Sequence, residues 1–142
     1  MKLREGISVQ QERALLVGVL LDGRRIEEDV LSELAELTES AGAQVVSRAV
    51  QRRDAYHPAT CVGKGKLEEI RQRADAYEAD VIIFDNDLSP SQIREIEKAT
   101  QRKVIDRSEL ILDIFAARAR THEARLQVEL AQLEYTAPRL RG

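Results

Sequence analysis

The sequence predicts an α/β fold in which a parallel sheet is flanked by helices and followed by a long helix that is half of an antiparallel helical hairpin, or coiled coil. Two observations predict this architecture. Between residues 13 and 107, short apolar runs alternate with helical segments of 10 to 14 residues, which favours right-handed crossovers between parallel strands. From residue 108 onward, apolar positions lie three and four apart, with no glycine or proline before Pro138. We therefore expect a flexible N-terminal tail over residues 1–12, an α/β subdomain over 13–107 and a helical arm over 108–142.

The first elements predict a strand, a helix and a second strand. Residues 14–21 are an apolar run that ends at the turn signal Asp22-Gly23. Apolar residues then recur at helical spacing over residues 27–40, and Gly42 follows as a C-terminal stop for that helix. A valine-rich stretch over residues 44–50 predicts the second strand.

The next segment contains a turn rich in glycine and lysine. Residues 60–62 are a candidate short strand that enters Gly63-Lys64-Gly65-Lys66, and a helix is predicted over residues 66–77. Glu68 and Glu69 fall in the first turn of that predicted helix, where the helix dipole favours negative charge. The segment therefore predicts a strand-to-helix connection that carries two ammonium groups.

Strong local signals mark the end of the α/β subdomain. Residues 80–84 predict a strand. Ser89-Pro90-Ser91-Gln92 then combines an N-cap serine, a proline at the first helical position and a glutamine at the third, which is a capping box. This predicts a helix over residues 90–100, and residues 103–106 predict one more short strand before a new helix begins near Ser108.

The helical arm is predicted to be one continuous helix of about 28 residues, or roughly 42 Å. Its main apolar line is Leu112, Phe115, Ala119, His122, Leu126, Leu130 and Leu133. A second line consists of Ala124, Val128, Ala131 and Tyr135. Because Pro138 stands where a helical hairpin would turn, we expect the chain to be truncated before the hairpin tip and the second helix.

Composition excludes several classes of protein. One cysteine, Cys61, allows neither an internal disulfide nor a multi-cysteine zinc site. Aromatic residues make up only 4% of the chain, which argues against a stacking platform for single-stranded bases. No apolar block resembles a signal peptide or approaches the roughly 20 residues of a membrane span, so we expect a cytoplasmic protein without a membrane partner.

The charge is unevenly distributed. The net charge is −3, yet residues 48–66 carry five basic residues against Asp54 alone, and residues 118–142 carry five arginines against three glutamates. This segregation is what an RNA-facing edge on an acidic protein would show. Merely solvated charged faces are the alternative interpretation.

The chemical motifs point to binding rather than catalysis. No position has the glycine, four residues and Gly-Lys-Ser/Thr of a P-loop, so the sequence does not support GTP hydrolysis by this chain. Gly63-Lys64-Gly65-Lys66 is a candidate phosphate or nucleotide site, and the alternative is a turn that needs a positive φ angle. Asp85-Asn86-Asp87 could bind magnesium but also matches ordinary turn chemistry. His57, His122 and Cys61 belong to no visible triad, so neither a catalytic residue nor a metal site is predicted.

Four groups of segments carry a resemblance to the HflX family of ribosome-associated GTPases. Residues 58–69, PATCVGKGKLEE, resemble the family stretch P-x-T-aromatic-I-G-K-G-K-x-E-E, with Cys61 in place of the aromatic residue. Residues 84–92, FDNDLSPSQ, resemble F-D-x-x-L-S-P-x-Q, and residues 104–107 and 110–116 resemble V-I-D-R and L-I-L-D-I-F-A. Residues 127–133 and 138–140 complete the series. Together these matches cover residues 13 to 142 in the family order.

The resemblance implies a parallel α/β subdomain and half of a helical hairpin from a GTPase that binds the large ribosomal subunit and splits or rescues stalled ribosomes. It implies contact with ribosomal RNA, a GTPase domain in cis, and GTP and magnesium bound only in that missing domain. The candidate RNA-binding residues are Arg139, Arg141, Arg125, Arg120, Arg118, Lys64 and Lys66. Two other hypotheses stay open at this point: a stand-alone nucleotide-binding domain, and an oligomerisation module that dimerises through the unpaired helix.

Overall fold

The computed structural model describes residues 8–21 and 30–140, and in that part it contains a parallel sheet flanked by helices. The strands are β1 (Arg13–Leu21), β2 (Gln44–Arg53), β3 (Val81–Phe84) and β4 (Lys103–Asp106). The helices are α1 (Ser32–Ser40), α2 (Lys64–Ala76), α3 (Pro90–Thr100), α4 (Arg107–Arg118) and α5 (His122–Leu140). The predicted α/β class with a parallel sheet is confirmed.

The sheet has the order β2-β1-β3-β4, and every neighbouring pair of strands is parallel. β1 is therefore central, and the chain crosses from β2 at one edge over β1 to reach β3. Both long strands exceed their predicted limits slightly, since β2 continues through Arg53, three residues beyond the predicted end.

Two apolar layers cover the two faces of the sheet. Leu15 and Val17 point to one face, where they belong to the same cluster as Ile70 of α2 and Ile93 of α3. Leu16 points to the other face and lies in a cluster with residues of α1 and α4. The alternation along β1, with both faces buried, is why its sequence is a continuous apolar run rather than an alternating one.

Local capping signals act as the sequence predicts. Ser89 accepts a hydrogen bond from the Gln92 backbone N–H and Gln92 reciprocates, so α3 begins with the predicted capping box. Gly42 follows α1 with a φ angle of +86°, the left-handed conformation that glycine tolerates at a helix end.

Several predicted boundaries are wrong. Residues 60–62 do not form a strand; an isolated antiparallel bridge joins His57 and Cys61 instead. α2 begins at Lys64, two residues early, so the glutamates at 68 and 69 lie beyond its first turn. α1 begins at Ser32, and residues 22–29, which include the predicted start of this helix, lie outside the described residues.

The N-terminal segment is part of the folded body where the structure describes it. Val9 is fully buried, and the Gln11 N–H donates to the Gly42 carbonyl over 2.8 Å. Residues 1–7 of the predicted flexible tail lie outside the described residues.

The prediction of one continuous helix from residue 108 is wrong. Ala119 leaves the helical conformation with a ψ angle of 122°, and α4 ends at Arg118. Thr121 then caps α5, because its hydroxyl accepts the Ala124 N–H over 3.0 Å. α5 continues through Pro138 to Leu140, past the proline that was expected to end it.

α5 turns back along the body rather than extending away from it. Tyr135, in its fourth turn, donates a hydrogen bond to Asp106, the N-cap of α4. The second apolar line of the sequence, with Ala124 and Val128, is the half-buried side, whereas Leu126 and Leu130 of the first line are exposed. The break between α4 and α5 thus divides the predicted apolar line, which a single helix would have kept on one face.

Candidate functional site

The crevice between β1 and β3, where ligands gather in open parallel sheets, is closed here by a side chain. The Asn86 carboxamide accepts the Val19 N–H over 2.8 Å and donates to the Val19 carbonyl over 3.0 Å. It continues the hydrogen-bond ladder of β1 beyond the last residue of β3. The Asn86 side chain therefore occupies the crevice and links the end of β3 to β1.

The two aspartates beside Asn86 also have protein partners. Asp85 pairs with Arg107 over 3.0 Å, and Asp87 accepts a hydrogen bond from the Ser108 hydroxyl over 2.9 Å. Arg107 in turn pairs with Glu33 of α1. Within residues 8–21 and 30–140, no three His, Cys, Asp or Glu side chains are grouped so that they could hold a metal ion.

The Gly63–Lys66 segment has a different geometry from the turn considered in the sequence. Gly63 has a φ angle of −69°, so the positive φ that this turn was considered to need is absent there; it occurs at Cys61, at 66°. A Cβ atom at position 63 would lie 2.5 Å from a terminal nitrogen of Arg53, so a larger residue there would displace the end of that side chain. The Gly63 N–H donates to the Gln51 side chain over 2.9 Å.

The two lysines of this segment have different surroundings. Lys64 is exposed at the start of α2, whereas Lys66 forms an ion pair with Glu69 over 2.9 Å. Both lie at the carboxyl edge of the sheet, because a helix that follows a parallel strand begins at that edge.

Three arginines of the predicted RNA-binding set lie together at the opposite edge. Arg118, Arg120 and Arg125 are exposed around the turn that joins α4 to α5. This turn lies at the amino edge, since α4 starts at the end of β4 and the Arg118 guanidinium reaches the Ser40 hydroxyl at the end of α1, over 3.0 Å. The structure therefore divides the candidate cations into two separate groups.

Arg139 is the member of the predicted set that is mostly buried. Its side chain is only 8% exposed, and it donates to the Leu88 carbonyl over 2.9 Å. It pairs with Glu109 over 3.3 Å and lies over the Tyr135 ring at 3.6 Å. Its guanidinium group therefore helps to dock α5 against the body, unlike the exposed arginines of the predicted set. Arg141 lies outside the described residues.

Asp106, a fully buried carboxylate outside the predicted site residues, connects β4, α4 and α5. It accepts the backbone N–H groups of Glu109 and Leu88 over 3.0 and 3.1 Å, and the hydroxyl of Tyr135. Burial raises the pKa of Tyr135 above its ordinary value, and the hydrogen bond to Asp106 raises it further. The residue could have been noticed only as an aspartate at a predicted N-cap; its contacts with α5 have no sequence signal.

Two exposed surfaces remain, of which the first was not predicted from the sequence and the second belongs to the predicted apolar line of the arm. A pocket of about 550 Å³ lies at the carboxyl end of β2, lined by Arg52, Arg53, Asp54, Ala55, Tyr56 and Pro58. On α5, Leu126, Leu130 and Leu133 form an apolar stripe whose side chains are 51%, 59% and 64% exposed. No helix within the described residues is both long and apolar enough to cross a membrane.

Comparisons with known proteins place the chain in a family. The model of the GTP-binding GTPase N-terminal family matches residues 28–116, and that of the GTP-binding GTPase middle region matches residues 118–142. The chain is 47% identical over 132 residues to GTPase HflX of Lacrimispora saccharolytica, covering 93% of this chain and 31% of the relative. It is also 47% identical over 129 residues to GTPase HflX of Escherichia coli K12, covering 91% and 30%.

Solved structures of other proteins have a similar fold over most of this chain. A crystal structure of the G235S variant of SsGBP has a TM-score of 0.71 and 26% identity, covering 92% of this chain and 41% of that one. A GTP-binding protein from Sulfolobus solfataricus, solved in complex with GDP, has a TM-score of 0.66 and 26% identity, covering 92% and 39%. The chain spans about a third of the length of the curated relatives it matches. By the family models and these identities, the chain belongs to the HflX family of GTP-binding proteins and corresponds to its N-terminal domain.

Proposed function

We propose that this chain is the N-terminal ribosome- and RNA-binding domain of an HflX-type GTP-binding protein, which associates with the large ribosomal subunit and helps to split or rescue stalled ribosomes. The parent protein would be a cytoplasmic GTPase, since the relatives named GTPase HflX are about three times as long as this chain. GTP and magnesium would bind in the GTPase domain in cis, because this sequence contains no P-loop.

The exposed arginine group at the turn between α4 and α5 is the observation that carries this proposal. Arg118, Arg120 and Arg125 stand there against Glu123 as the single acidic residue between 118 and 125. Several other arginines are neutralised by carboxylates; Arg71, for example, pairs with both Glu68 and Asp75. We refer to the segment that carries Arg118, Arg120 and Arg125 as the arginine turn. It presents concentrated positive charge on a protein whose net charge is −3.

Such a group suits folded RNA. Guanidinium groups bind phosphate oxygens through two parallel hydrogen bonds, and double-stranded RNA is recognised mainly through its shape and phosphates. The Arg118 guanidinium is held by the Ser40 hydroxyl, and α5 is docked through Tyr135, so the backbone of the turn and the charge of Arg118 are in position before binding. Preorganised charges lose less conformational entropy on binding than mobile ones.

The apolar stripe of exposed leucines on α5, which we call the leucine stripe, supports the prediction that α5 belongs to a helical hairpin. Leu126, Leu130 and Leu133 are spaced four and three apart, which places them on one face of the helix. We assign this face to the second helix of the hairpin, in the part of the parent protein that follows the region matched here. The apolar surface would then be covered in the full-length protein.

Co-sedimentation with purified large ribosomal subunits tests the proposal. The chain is expected to pellet with the subunits at low salt, and the triple variant R118A/R120A/R125A to lose most of this binding. The variant R71A removes a partly exposed arginine that is already paired and serves as the control. Failure of the wild-type chain to pellet, or equal binding by the triple variant, would contradict the assignment.

A second candidate function, self-association through the same leucine stripe, follows from its exposure in this chain. Two stripes would pair as antiparallel helices, and substitution of Leu130 by glutamate would disrupt the dimer. Sedimentation velocity distinguishes the two functions, since a monomer at high micromolar concentration would exclude self-association.

A further inference from the structure

We propose that the pocket at the end of β2 accommodates one unpaired nucleotide of the RNA, with its base against Tyr56 and its phosphate beside Arg52 and Arg53. The inference rests on the proposed function in taking RNA as the partner, and it adds a second contact at the edge of the sheet opposite the arginine turn. The pocket volume, about 550 Å³, lies within the range of sites that hold a single small ligand.

The lining has the chemistry that a nucleotide requires. Tyr56 is 46% exposed and offers an aromatic surface for stacking on a base. Among the described residues of the lining, Arg52 and Arg53 are the cations and Asp54 is the carboxylate, so a phosphate placed there would meet guanidinium groups. Low aromatic content argues against a platform of several rings, but a single unpaired base needs only one.

The pocket is held in shape by its own hydrogen bonds. The Arg53 Nε atom donates to the Ala55 carbonyl over 2.9 Å, and the backbones of His57 and Cys61 exchange two hydrogen bonds of 3.0 and 2.8 Å just after Tyr56. The Gln92 side chain ties the His57 carbonyl to the start of α3 over 3.3 Å. A loop fixed in this way loses little conformational entropy when a ligand binds.

Tyr56 is positioned through its hydroxyl group. Its hydroxyl accepts a hydrogen bond from the Asn86 amide over 3.4 Å, and Asn86 is itself bound to β1. The hydroxyl end is thus tethered while about half of the side chain stays accessible. Lys64 adds an exposed ammonium group next to Gly63, which the Arg53 guanidinium approaches.

An unpaired nucleotide fits this geometry better than a duplex does. A duplex buries its base faces in the stack and offers phosphates along an extended surface, whereas a bulged nucleotide can be turned outward into a concave site. The structure therefore predicts that the domain distinguishes RNA with an extruded base from fully paired RNA of the same length.

Fluorescence anisotropy with labelled RNA hairpins tests this inference. One hairpin carries a single-nucleotide bulge and the other is fully paired. The wild-type chain is expected to bind the bulged hairpin about tenfold more tightly, a difference in the range measured for base stacking on one aromatic side chain. Equal affinities for the two hairpins would overturn the inference without any variant.

Variants assign the effect to Tyr56. Y56L is expected to abolish the preference and leave binding of the paired hairpin unchanged, which also shows that the variant is folded, whereas Y56F keeps the ring and the preference. Y77L is the matched control, because Tyr77 is 45% exposed at the end of α2. A preference that survives in Y56L, or is lost equally in Y77L, would refute the role of this pocket.

Two further results separate this inference from its foundation. Binding to large subunits without a bulge preference would overturn the pocket assignment and leave the proposed function standing. A bulge preference without subunit binding would contradict the proposed function and leave the pocket assignment standing. Displacement of the bulged hairpin by micromolar adenosine monophosphate would contradict the assignment to RNA, because it would identify a site for free nucleotides.

Discussion

The buried Asp106 carboxylate is expected to be a major determinant of stability, and D106A tests this. The substitution removes the N-cap of α4, which contributes about 1 kcal/mol. It leaves the Leu88 N–H without its acceptor in a buried position, at a cost of about 1–3 kcal/mol. It also removes the acceptor of the Tyr135 hydroxyl, for about 1 kcal/mol more. Arg139 retains Glu109, so the expected loss is about 4 kcal/mol in the free energy of unfolding.

Urea denaturation followed by circular dichroism measures this loss. D87A is the matched control, because Asp87 is exposed and bonds to one hydroxyl, so its removal should cost less than about 0.5 kcal/mol. A loss below about 1 kcal/mol in D106A would show that the buried junction contributes little, and the reasoning would be refuted. Y135F combined with D106A should be less than additive, because both substitutions remove the same hydrogen bond.

Three further predictions follow from buried or capping groups. Burial raises the pKa of the Cys61 thiol to about 11, so iodoacetamide at pH 8 should alkylate the native chain about a hundredfold more slowly than the unfolded chain, as followed by mass spectrometry; equal rates would contradict this. Burial also raises the pKa of Asp113 above its ordinary value of 3.8, so the folded state binds this proton more tightly. The free energy of unfolding should therefore fall as pH rises from 3.8 through the folded pKa, and D113N should flatten that slope. S89A removes the α3 cap and should cost about 1 kcal/mol in thermal unfolding, whereas S91A, at an exposed helical position, should cost much less.

Much of the α/β subdomain could be predicted because its signals are local. The apolar run of β1 and the capping box at Ser89 specify their elements through neighbouring residues only. The strands at 81–84 and 103–106 were recognisable for the same reason. The parallel arrangement then follows from the alternation of strands and helices.

The course of the helical arm could not be predicted, because long-range contacts decide it. An uninterrupted apolar repeat favours one helix, but the break after Arg118 allows α5 to dock through Tyr135, which bonds to Asp106 at a separation of 29 residues. The Thr121 cap was a weak local signal for that break. Arg139 was assigned to a surface for the same reason, since nothing in its neighbourhood indicates that Leu88 and Glu109 surround it.

The candidate sites were predictable in residue type but not in arrangement. The charge clusters of the sequence correctly locate Lys64 and Arg118 on the surface, yet the topology places them at opposite edges of the sheet. The sequence suggests a positive φ angle in the turn that contains Gly63, whereas Gly63 has a φ angle of −69° and lies against the end of the Arg53 side chain. The pocket beside Tyr56 depends on a loop closed by tertiary hydrogen bonds, which composition cannot reveal.

The salt dependence of binding to purified large ribosomal subunits tests the central claim most directly. If the arginine turn binds phosphates, the apparent affinity of the wild-type chain should fall steeply between about 50 and 200 mM salt. The triple variant R118A/R120A/R125A should bind more weakly and lower the slope of log affinity against log salt by about 2, as three lost phosphate contacts require. An unchanged slope and affinity in the variant would contradict the account.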